Sequence, residues 1–540
     1  MDLITLIGDI DENFYQLGMK DRENGKLVHH DVKMMLRTPW KPINKVIEEI
    51  GKAVIKNSLL KKSDNFLHLK SYAEGAGISI EECAYVMLIP ELVSSMSKWA
   101  PGLIKGNLGC SSFMLRDNIG DVIHGRILDF PLQGSYDRFE RAISYNFNGM
   151  PKLLGFGSSG IPYPSITLMT EDGITLALHQ KFTNNLNPQG MSIFEYIFKL
   201  AKNARDKKSV IEFINSHQTI TTWCLYMTFK DGEVLACDLN GTSAFINELT
   251  IPDTGILYFC NHLEDKSINQ RQFLPLGFDQ YNLMREEIAT LKIHKLMKKT
   301  KSQPSSFDIL KMMSTPLDQK LSDETFKNYK LDNVTTSSLS IMTMNPTKES
   351  ALYLEGSAPK IFSNNVSEIK NAFSRPQKEA VKVKDKEVVD PEYKQGLFYM
   401  MEAQKGFDAH DSSALYHNLQ MAIDHLEHYP EKNIAHFYFL VAQYIYESHP
   451  QVHANLLTEF KKWEGNLPPY LNDHCLLFIG RLERILNLPP SMEEDKVETL
   501  KLREIYQKEL KIPRIALHIL SKGMIIPRID ILDIIYVLTT

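Results

Sequence analysis

Residues 109–130 read GCSSFMLRDNIGDVIHGRILDF, two strand-like runs on either side of a turn that contains Ile119 and Gly120. Because glycine accepts a positive φ angle, this turn predicts a β-hairpin with a two-residue loop at Ile119-Gly120. In the antiparallel register that follows, Cys110 pairs with Asp129. The sequence therefore predicts a thiol and a carboxylate side by side on neighbouring strands.

Arg126 is the third chemically distinctive residue of this hairpin. In the predicted register it pairs with Phe113 and points to the sheet face opposite Cys110, because side chains alternate along a strand. We therefore predict a β-bulge near Gly125, or an Arg126 side chain that curls round the sheet edge. A cation next to a thiol stabilises the thiolate, and a carboxylate can hold an amine close to it. Such an amine is a base whose unperturbed pKa lies near neutrality.

The sequence after Cys110 consists of short β-branched runs separated by turns, which predicts about ten strands. These runs are residues 110–117, 121–130, 141–147, 164–170, 174–182, 224–229, 233–239, 256–261, 338–344 and 350–356. Helical stretches are grouped between them, at residues 191–207, 208–217 and 281–299. Grouped strands and helices, unlike a regular βαβ alternation, predict an α+β fold of packed layers.

The flanks of this region differ from it in composition. Residues 1–109 read as mostly helical, because apolar residues recur at three- and four-residue steps. Residues 374–390 are charged and bounded by prolines, which is typical of a linker. We predict four parts: a helical segment 1–109, an α+β domain 110–373, the linker 374–390, and a helical bundle or repeat-like domain 391–540.

The helical domain 391–540 offers no clear site of its own. Leu415 and Leu419 lie on one apolar face of a predicted helix. His425 and His428 share a helix face, as some metal-binding pairs do, but no further ligand completes a site. We predict surface histidines and no metal.

Composition excludes several classes of protein. The chain has 540 residues, of which 43% are hydrophobic and 24% charged, so we expect more than one domain. A formal net charge of −5 without basic runs argues against nucleic acid as a partner. Six cysteines without paired spacing indicate neither disulfides nor zinc. The chain has no cationic signal segment and no apolar run of about 20 residues. We therefore expect a cytoplasmic protein without a membrane span, and export without a cleaved signal stays open.

The segment 109–130 resembles the mature start of acid ceramidase and N-acylethanolamine acid amidase, which are cysteine N-terminal-nucleophile (Ntn) hydrolases. In that group a nucleophilic Cys begins a CTSI-type strand and an HGRN-x-D sequence follows. The spacing is the same here, with Arg sixteen and Asp nineteen residues after Cys. SYAEGAGISIEECAYVMLIPEL (71–92) resembles the propeptide region of the related acyl-CoA:6-aminopenicillanate acyltransferase group, and EDGITLALHQKF (171–182) resembles the middle strand pair of both. The resemblance covers residues 1–365.

This resemblance implies an αββα sandwich and a precursor that cuts its own chain between Gly109 and Cys110. It implies hydrolysis of a linear amide through an acyl-enzyme on Cys110, with Arg126 beside the nucleophile. Asp129 would bind the free α-amine, and Asn261 in ILYFCNHL would belong to the oxyanion hole. The implied substrate is a small-molecule amide with an acyl side, and the activity needs no cofactor.

Other positions match the group less closely. Arg271 corresponds to a downstream arginine of the group. Ile127 stands where the group has Asn after the motif Arg, and His179 and Gln180 stand where acid ceramidase has an Asn-Glu pair. The glutamine removes a carboxylate from the rim of the site. His179, Gln180 and Arg271 are therefore candidates for substrate or oxyanion contacts.

Two alternatives remain open from the sequence. One is acyl transfer to an amine, as in the penicillin acyltransferases, which added amine acceptors would separate from hydrolysis. The other is a degenerate hydrolase fold that binds a protein partner through the helices of residues 391–540. Ile127 and Gln180 favour the degenerate fold. The intact set of Cys110, Arg126 and Asp129 opposes it.

Overall fold

The chain forms two compact units. The first comprises Met1–Leu274, Ala289–Pro316 and Ser337–Val389, and the second comprises Pro275–Ile288, Leu317–Thr336 and Asp390–Thr540. The structure is a computed structural model, and each unit is described by itself. It describes residues 1–36, 41–56, 66–96, 109–164, 166–181, 183, 185–265, 276–300, 303–319, 323–383, 387–491 and 494–521.

Eight strands of the described residues form one sheet of the first unit. In spatial order they are β1 (Asp2–Gly8), β4 (Glu140–Phe147), β5 (Leu153–Ser158), β6 (Thr167–Thr170), β7 (Thr175–Gln180), β8 (Thr222–Thr228), β9 (Glu233–Asn240) and β10 (Ala244–Thr250). β1 pairs in parallel with β4, whereas the other neighbours are antiparallel. The segment 1–109, which we predicted as mostly helical, therefore also contributes an edge strand.

Seven strands of the described residues form the other sheet. In spatial order they are β11 (Leu257–Phe259), β2 (Gly109–Arg116), β3 (Val122–Asp129), β12 (Ser338–Asn345), β13 (Ser350–Leu354), β14 (Asn365–Lys370) and β15 (Gln377–Lys382). β15 lies within residues 374–390, so the prediction of a linker there is wrong over this strand. Its side chains are mostly exposed at the sheet edge, and its composition therefore lacks the apolar alternation of a strand.

Helices cover the outer faces of both sheets. Those with residues in the first unit are α1 (Ile10–Asp21), α2 (Asn24–Met34), α3 (Lys41–Val54), α4 (Leu69–Ala76), α5 (Ile80–Met96), α6 (Ile193–Asn203), α7 (Lys207–Ser216), α8 (Leu276–Lys299, from Ala289 onward) and α9 (Ser306–Ser314). Phe14 of α1 and Ile197 of α6 share a core with the eight-stranded sheet. Ile309 and Met313 of α9 share a core with the seven-stranded sheet.

The two sheets pack against each other through their inner faces. Phe156 of β5 and Met342 of β12 belong to one apolar cluster between them, and Met114 of β2 and Tyr226 of β8 belong to another. With helices outside both sheets, the layers follow the order helix, sheet, sheet, helix. The predicted α+β fold and its αββα layering are confirmed.

The segment before Cys110 is anchored to the sheet by a buried charge cluster. Asp21 at the end of α1 accepts from Arg141 Nη2 of β4 at 2.8 Å, from Tyr72 Oη at 2.7 Å and from the backbone N–H of Gly160 at 3.0 Å. All of these hydrogen bonds are buried. They bind helices of residues 1–96 to strands that follow the nucleophile in sequence.

The loop between β2 and β3 is longer than the sequence predicted. The backbone N–H of Asp117 donates to the carbonyl of Asp121 at 2.8 Å, and Gly120 adopts a φ of 91°. Three residues therefore form the loop, with glycine in the left-handed region, as is common in three-residue hairpins. A loop one residue longer shifts every pair of the hairpin by one position.

The shifted register changes which side chains share a face. Cys110 pairs with Leu128, Ser112 pairs with Arg126, and Asp129 pairs with the residue before the cysteine. The predicted pairing of Cys110 with Asp129 is wrong. Because side chains alternate along a strand, Arg126 lies on the same face as Cys110 without any distortion.

The predicted bulge near Gly125 is also wrong. The ladder is regular there, and the irregularity lies on β12 between Ser338 and Ser340, opposite the end of β3. Gly125 serves another purpose, since a Cβ atom there would come within 2.9 Å of Ile309 Cγ2. The glycine lets α9 approach the sheet closely.

The second unit is built mainly of helices. These include α10 (Pro391–Asp408), α11 (Ser412–His425), α12 (Glu431–Tyr446), α13 (Pro450–Trp463), α14 (Pro469–Ile485), α15 (Leu500–Leu510) and α16 (Arg514–Leu520). Leu415 and Leu419 are buried, as the apolar face predicted. Arg481 of α14 binds Glu509 of α15 through two hydrogen bonds of 2.9 and 2.6 Å, both buried. In the described part of the chain, no helix is long and apolar enough to span a bilayer.

Candidate active site

Cys110 and Arg126 contact each other between the two sheets. The guanidinium Nη2 of Arg126 donates to Cys110 Sγ at 2.9 Å and to the carbonyl of Leu178 at 2.5 Å. Cys110 exposes 1% of its surface and Arg126 none. Because a cation at hydrogen-bond distance stabilises the negatively charged sulfur, this geometry favours the thiolate of Cys110.

Arg126 retains hydrogen-bonding capacity at this site. Within the described residues, neither its Nε nor its Nη1 has a hydrogen-bond partner, although both atoms are buried. A buried donor without a partner costs free energy, on the order of 1–3 kcal/mol. Both donors belong to the guanidinium that touches the thiol.

Asn261 contacts the backbone of the nucleophile. Its Oδ1 accepts the backbone N–H of Cys110 at 2.9 Å, and its Nδ2 donates to the carbonyl of Gln180 at 2.9 Å. A backbone N–H can only donate and a carbonyl can only accept, so these partners fix the orientation of the amide. Asn261 thus binds the nitrogen of the Gly109–Cys110 peptide bond. The predicted oxyanion role of Asn261 stays a prediction.

Asp129 is buried at the end of β3, one residue beyond the partner of Cys110. Its Oδ1 accepts from Ser338 Oγ at 2.7 Å. In the register of the hairpin it pairs with Gly109 and lies on the face opposite the thiol. Its predicted role, binding the amine that cleavage would create, stays a prediction.

His179 and Gln180 follow Leu178 on β7 and are buried. His179 Nδ1 bonds to the carbonyl of Cys260 at 3.1 Å, so Nδ1 carries the proton and Nε2 accepts from Ser112 Oγ at 2.9 Å. Gln180 Nε2 donates to the carbonyl of Pro90 at 2.9 Å. Both side chains thus bind protein groups around the nucleophile. Arg271 lies outside the described residues.

His124 is a site neighbour that the sequence reasoning missed. It lies on β3 two residues before Arg126, and its Nδ1 bonds to Thr175 Oγ1 at 2.7 Å. Burial, together with the smaller effect of the positive charge on Arg126, lowers the pKa of His124 to about 3. The imidazole is therefore neutral and adds no second positive charge beside Arg126. The alternation of β3 indicates this position once Arg126 is known to share the thiol's face.

An apolar cavity lies next to Leu128, the residue that pairs with the nucleophile. It offers about 30 Å³ to the centres of water-sized molecules, and its whole empty volume, counted out to its solvent-open side, is about 540 Å³. Leu128, which pairs with Cys110, and Leu178, whose carbonyl binds Arg126, form part of its wall. The other lining residues are Val28, His29, Val32, Val86, Met87, Pro90, Phe130, Tyr136, Ile161, Ile166, Phe194 and Trp223. No sequence pattern indicated it, because helices before Cys110 and strands after it contribute the walls together.

Glu91 is a buried carboxyl group beside this cavity. It accepts the backbone N–H of Ile193 at 2.8 Å and the hydroxyl of Thr221 at 3.1 Å. Burial raises the pKa of Glu91 to about 7, although these hydrogen bonds oppose the rise. This carboxyl group therefore titrates near neutral pH.

The described residues contain no cluster of three or more side chains that could hold a metal ion. In the second unit, His425 Nδ1 bonds to Glu392 Oε2 at 2.6 Å, and its ring stacks on Tyr399. This geometry is that of an ordinary side-chain contact.

Comparison with known proteins gives structural similarities only. No protein-family model and no curated protein matches the sequence. A Caenorhabditis elegans ortholog of N-acylethanolamine-hydrolyzing acid amidase is 14% identical, with 44% of this chain and 93% of that chain covered and a TM-score of 0.31. A mutant and a variant of the conjugated bile acid hydrolase from Clostridium perfringens are 14% and 13% identical, covering 52% of this chain and 100% of theirs, with TM-scores of 0.34. The amidase is among the enzymes that residues 109–130 resemble. These TM-scores are low, so no statement on activity derives from them.

Proposed function

We propose that this protein is a cysteine N-terminal-nucleophile amidohydrolase that cuts its own chain before Cys110 and then hydrolyses a linear N-acyl amide. One observation carries the proposal. Arg126 Nη2 lies 2.9 Å from Cys110 Sγ, and two further donors of the same guanidinium are buried without partners in the described chain. A thiol beside a cation that still has buried donors without partners suits nucleophilic attack on a carbonyl.

In the first reaction, Cys110 Sγ attacks the carbonyl carbon of Gly109. The C–N bond between Gly109 and Cys110 breaks, the thiol proton passes to the departing nitrogen, and a thioester replaces the peptide bond. Water then hydrolyses the thioester, which leaves a carboxylate on Gly109 and a free amine on Cys110. The free donors of Arg126 suit the oxyanion of each step, and Asn261 Oδ1 already accepts from the departing nitrogen.

In the second reaction, the new α-amine of Cys110 is the base. Its unperturbed pKa near 8, about one unit from neutrality, lets it take the thiol proton at neutral pH. The thiolate attacks the substrate amide, the amine product leaves with that proton, and the acyl group stays on Cys110. Water then releases the acid and regenerates the thiol.

The cavity supports an apolar acyl group on the substrate. Leu128 and Leu178 connect its wall to the nucleophile, so an acyl chain in the cavity would have its carbonyl near Cys110 Sγ. Each methylene group that leaves water there contributes about 0.8 kcal/mol to binding. We therefore propose small N-acyl amides with an aliphatic or ring-containing acyl side as the substrate class.

Intact mass and amino-terminal sequencing test the first reaction. After incubation at pH 5 and pH 7, we expect a fragment that begins Cys-Ser-Ser-Phe and a second fragment that ends at Gly109. The two should elute together without denaturant, because the buried Asp21–Arg141 pair joins them. Cys110→Ala should stay uncut, whereas Cys83→Ala, another buried cysteine of this unit, should be cut normally. A full-length wild-type chain at both pH values, or a cut Cys110→Ala chain, contradicts the proposal.

A panel of N-acyl amides of increasing acyl length tests the second reaction. We expect acid release by the cut protein and an acyl adduct on the fragment that begins at Cys110. Adding a primary amine separates hydrolysis from acyl transfer, since transfer yields a new amide. Cut protein that acylates no substrate in the panel would refute the proposed substrate class.

A further inference from the structure

Lys181 is a buried lysine one residue beyond β7. Its side chain has no exposed surface. Its ammonium group donates to the carbonyl of Cys260 at 3.3 Å, to the carbonyl of His262, and to Tyr226 Oη at 3.1 Å. It therefore holds the backbone on both sides of Asn261.

A buried carboxylate holds the other end of the same segment. Asp238 Oδ2 on β9 accepts the backbone N–H groups of Glu264 and Asp265 at 2.6 and 2.9 Å. Tyr226 Oη, which binds Lys181, donates to Glu264 Oε1 at 2.7 Å. Residues 260–265, which follow β11 of the seven-stranded sheet, are thus tied to β7, β8 and β9 of the other sheet.

These ties determine where the amide of Asn261 points. β11 has only three residues, so few ladder hydrogen bonds orient the chain that follows it. An ammonium group offers three donors at one point and can hold three acceptors at once. Lys181 uses its donors on the two peptide carbonyls that flank Asn261 and on a tyrosine that is itself fixed.

Resting on the proposed function, we propose that Lys181 is a positioning residue that aims Asn261 at the nitrogen of Cys110. The three hydrogen bonds of its ammonium group described above reach neither the thiol nor the scissile bond. It fixes the backbone of residues 260–262, so that Asn261 Oδ1 reaches the Cys110 N–H at 2.9 Å while Nδ2 stays on the carbonyl of Gln180. Loss of the ammonium would release the segment and misplace the amide.

Hydrogen exchange tests this inference independently of any activity. The chain carries Cys110→Ala, which keeps the backbone N–H at residue 110 and prevents cutting. Adding Lys181→Met should speed exchange of that N–H by about tenfold or more, because its acceptor is displaced. In Lys181→Arg the exchange rate of that N–H should stay near that of the Cys110→Ala parent, since arginine keeps a charged donor. Unchanged exchange in the Lys181→Met chain overturns the inference.

Two further variants keep this measurement interpretable. Tyr145→Phe is the matched control, because Tyr145 lies on the eight-stranded sheet and donates a buried hydrogen bond of 2.9 Å to the carbonyl of Pro162. Its loss should leave the exchange rate at residue 110 unchanged. Tyr226→Phe removes one partner of the ammonium and should give a smaller rise than Lys181→Met. It replaces Lys181→Met if that chain does not fold, and the absence of any rise then overturns the inference.

Kinetics give the second readout. Lys181→Met should slow self-cutting and lower kcat of the cut protein by about 100-fold, with KM changed less than about threefold, because the residue does not touch substrate. Lys181→Arg should recover most of kcat. A raised KM with unchanged kcat would assign Lys181 to substrate binding and overturn the positioning role. If wild type is neither cut nor active, the proposed function fails while the exchange experiment still decides on Lys181.

Discussion

Arg126 in the first unit and Arg481 in the second are both almost fully buried, yet their surroundings differ. Arg481 binds the carboxylate of Glu509 through two hydrogen bonds, which neutralise its charge. Arg126 touches a thiol and a carbonyl, and within the described residues two of its donor atoms have no partner. A buried arginine whose guanidinium is paired with a carboxylate stabilises its fold. One that keeps donor atoms without partners can still bind a ligand through them. The comparison predicts opposite responses to substitution.

Arg126→Met should have the largest effect, and on activity alone. We expect the rate of self-cutting to fall by about 10³-fold, because the thiolate and the oxyanion lose their donors. The free energy of unfolding should stay equal or rise, since a buried charge without a carboxylate partner costs more than an apolar side chain of similar size. Intact mass over time and urea unfolding in the Cys110→Ala background measure the two quantities. A large loss of stability would show that Arg126 stabilises the fold as Arg481 does, which contradicts this prediction.

Arg481→Met should lower the stability of the fold and leave the rate of self-cutting unchanged. It leaves the buried carboxylate of Glu509 without its partner, which typically costs about 3–5 kcal/mol of stability. The folded fraction should still cut its chain at the wild-type rate. Replacing both residues, Arg481→Met with Glu509→Leu, should recover much of the loss in urea unfolding. A double variant no more stable than the single one would show that the charges themselves are not what the fold needs.

Glu91→Gln tests a third kind of buried charge, a carboxyl group with neutral partners. Its pKa is raised from 4.5 to about 7, so the folded chain holds the proton more tightly than the unfolded chain. Stability from this group is complete below about pH 4.5 and is lost as the pH rises towards 7. Glu91→Gln should remove this dependence of the free energy of unfolding on pH. At pH 8 its free energy of unfolding should exceed that of wild type by up to about 3 kcal/mol. Urea unfolding at pH 5 and pH 8 measures it, and equal slopes for both proteins would refute the titration.

Ser338→Ala should have the smallest effect, because it removes one neutral donor from Asp129. We expect a stability loss of about 1 kcal/mol. If Asp129 binds the amine of the cut chain, the pH profile of kcat should shift towards the alkaline side of wild type, because a carboxylate that loses a hydrogen-bond donor holds the protonated amine more tightly. Thr343→Ala, which removes another buried hydroxyl of β12, serves as the control. An unchanged pH profile of kcat in Ser338→Ala would show that Asp129 does not bind the amine.

The sequence alone determined the elements whose signals are local. All ten strand-like runs after Cys110 correspond to strands, because short β-branched runs between turn residues indicate strands wherever they occur. The spacing of Cys110, Arg126 and Asp129 also identified a hairpin that could carry chemistry. β15, whose side chains are mostly exposed, lacks that pattern and was missed, and β1 was missed although its sequence DLITLIG contains such a run.

Only the tertiary structure decided what these residues touch. One extra loop residue shifted the hairpin register, placed Arg126 on the thiol's face and moved Asp129 to the opposite one. The contact of Asn261 with Cys110 joins residues that are 151 positions apart. The cavity and the Lys181 contacts likewise join distant parts of the chain. Sequence periodicity reports which face of an element is buried, whereas the partner across that face depends on how separate elements pack.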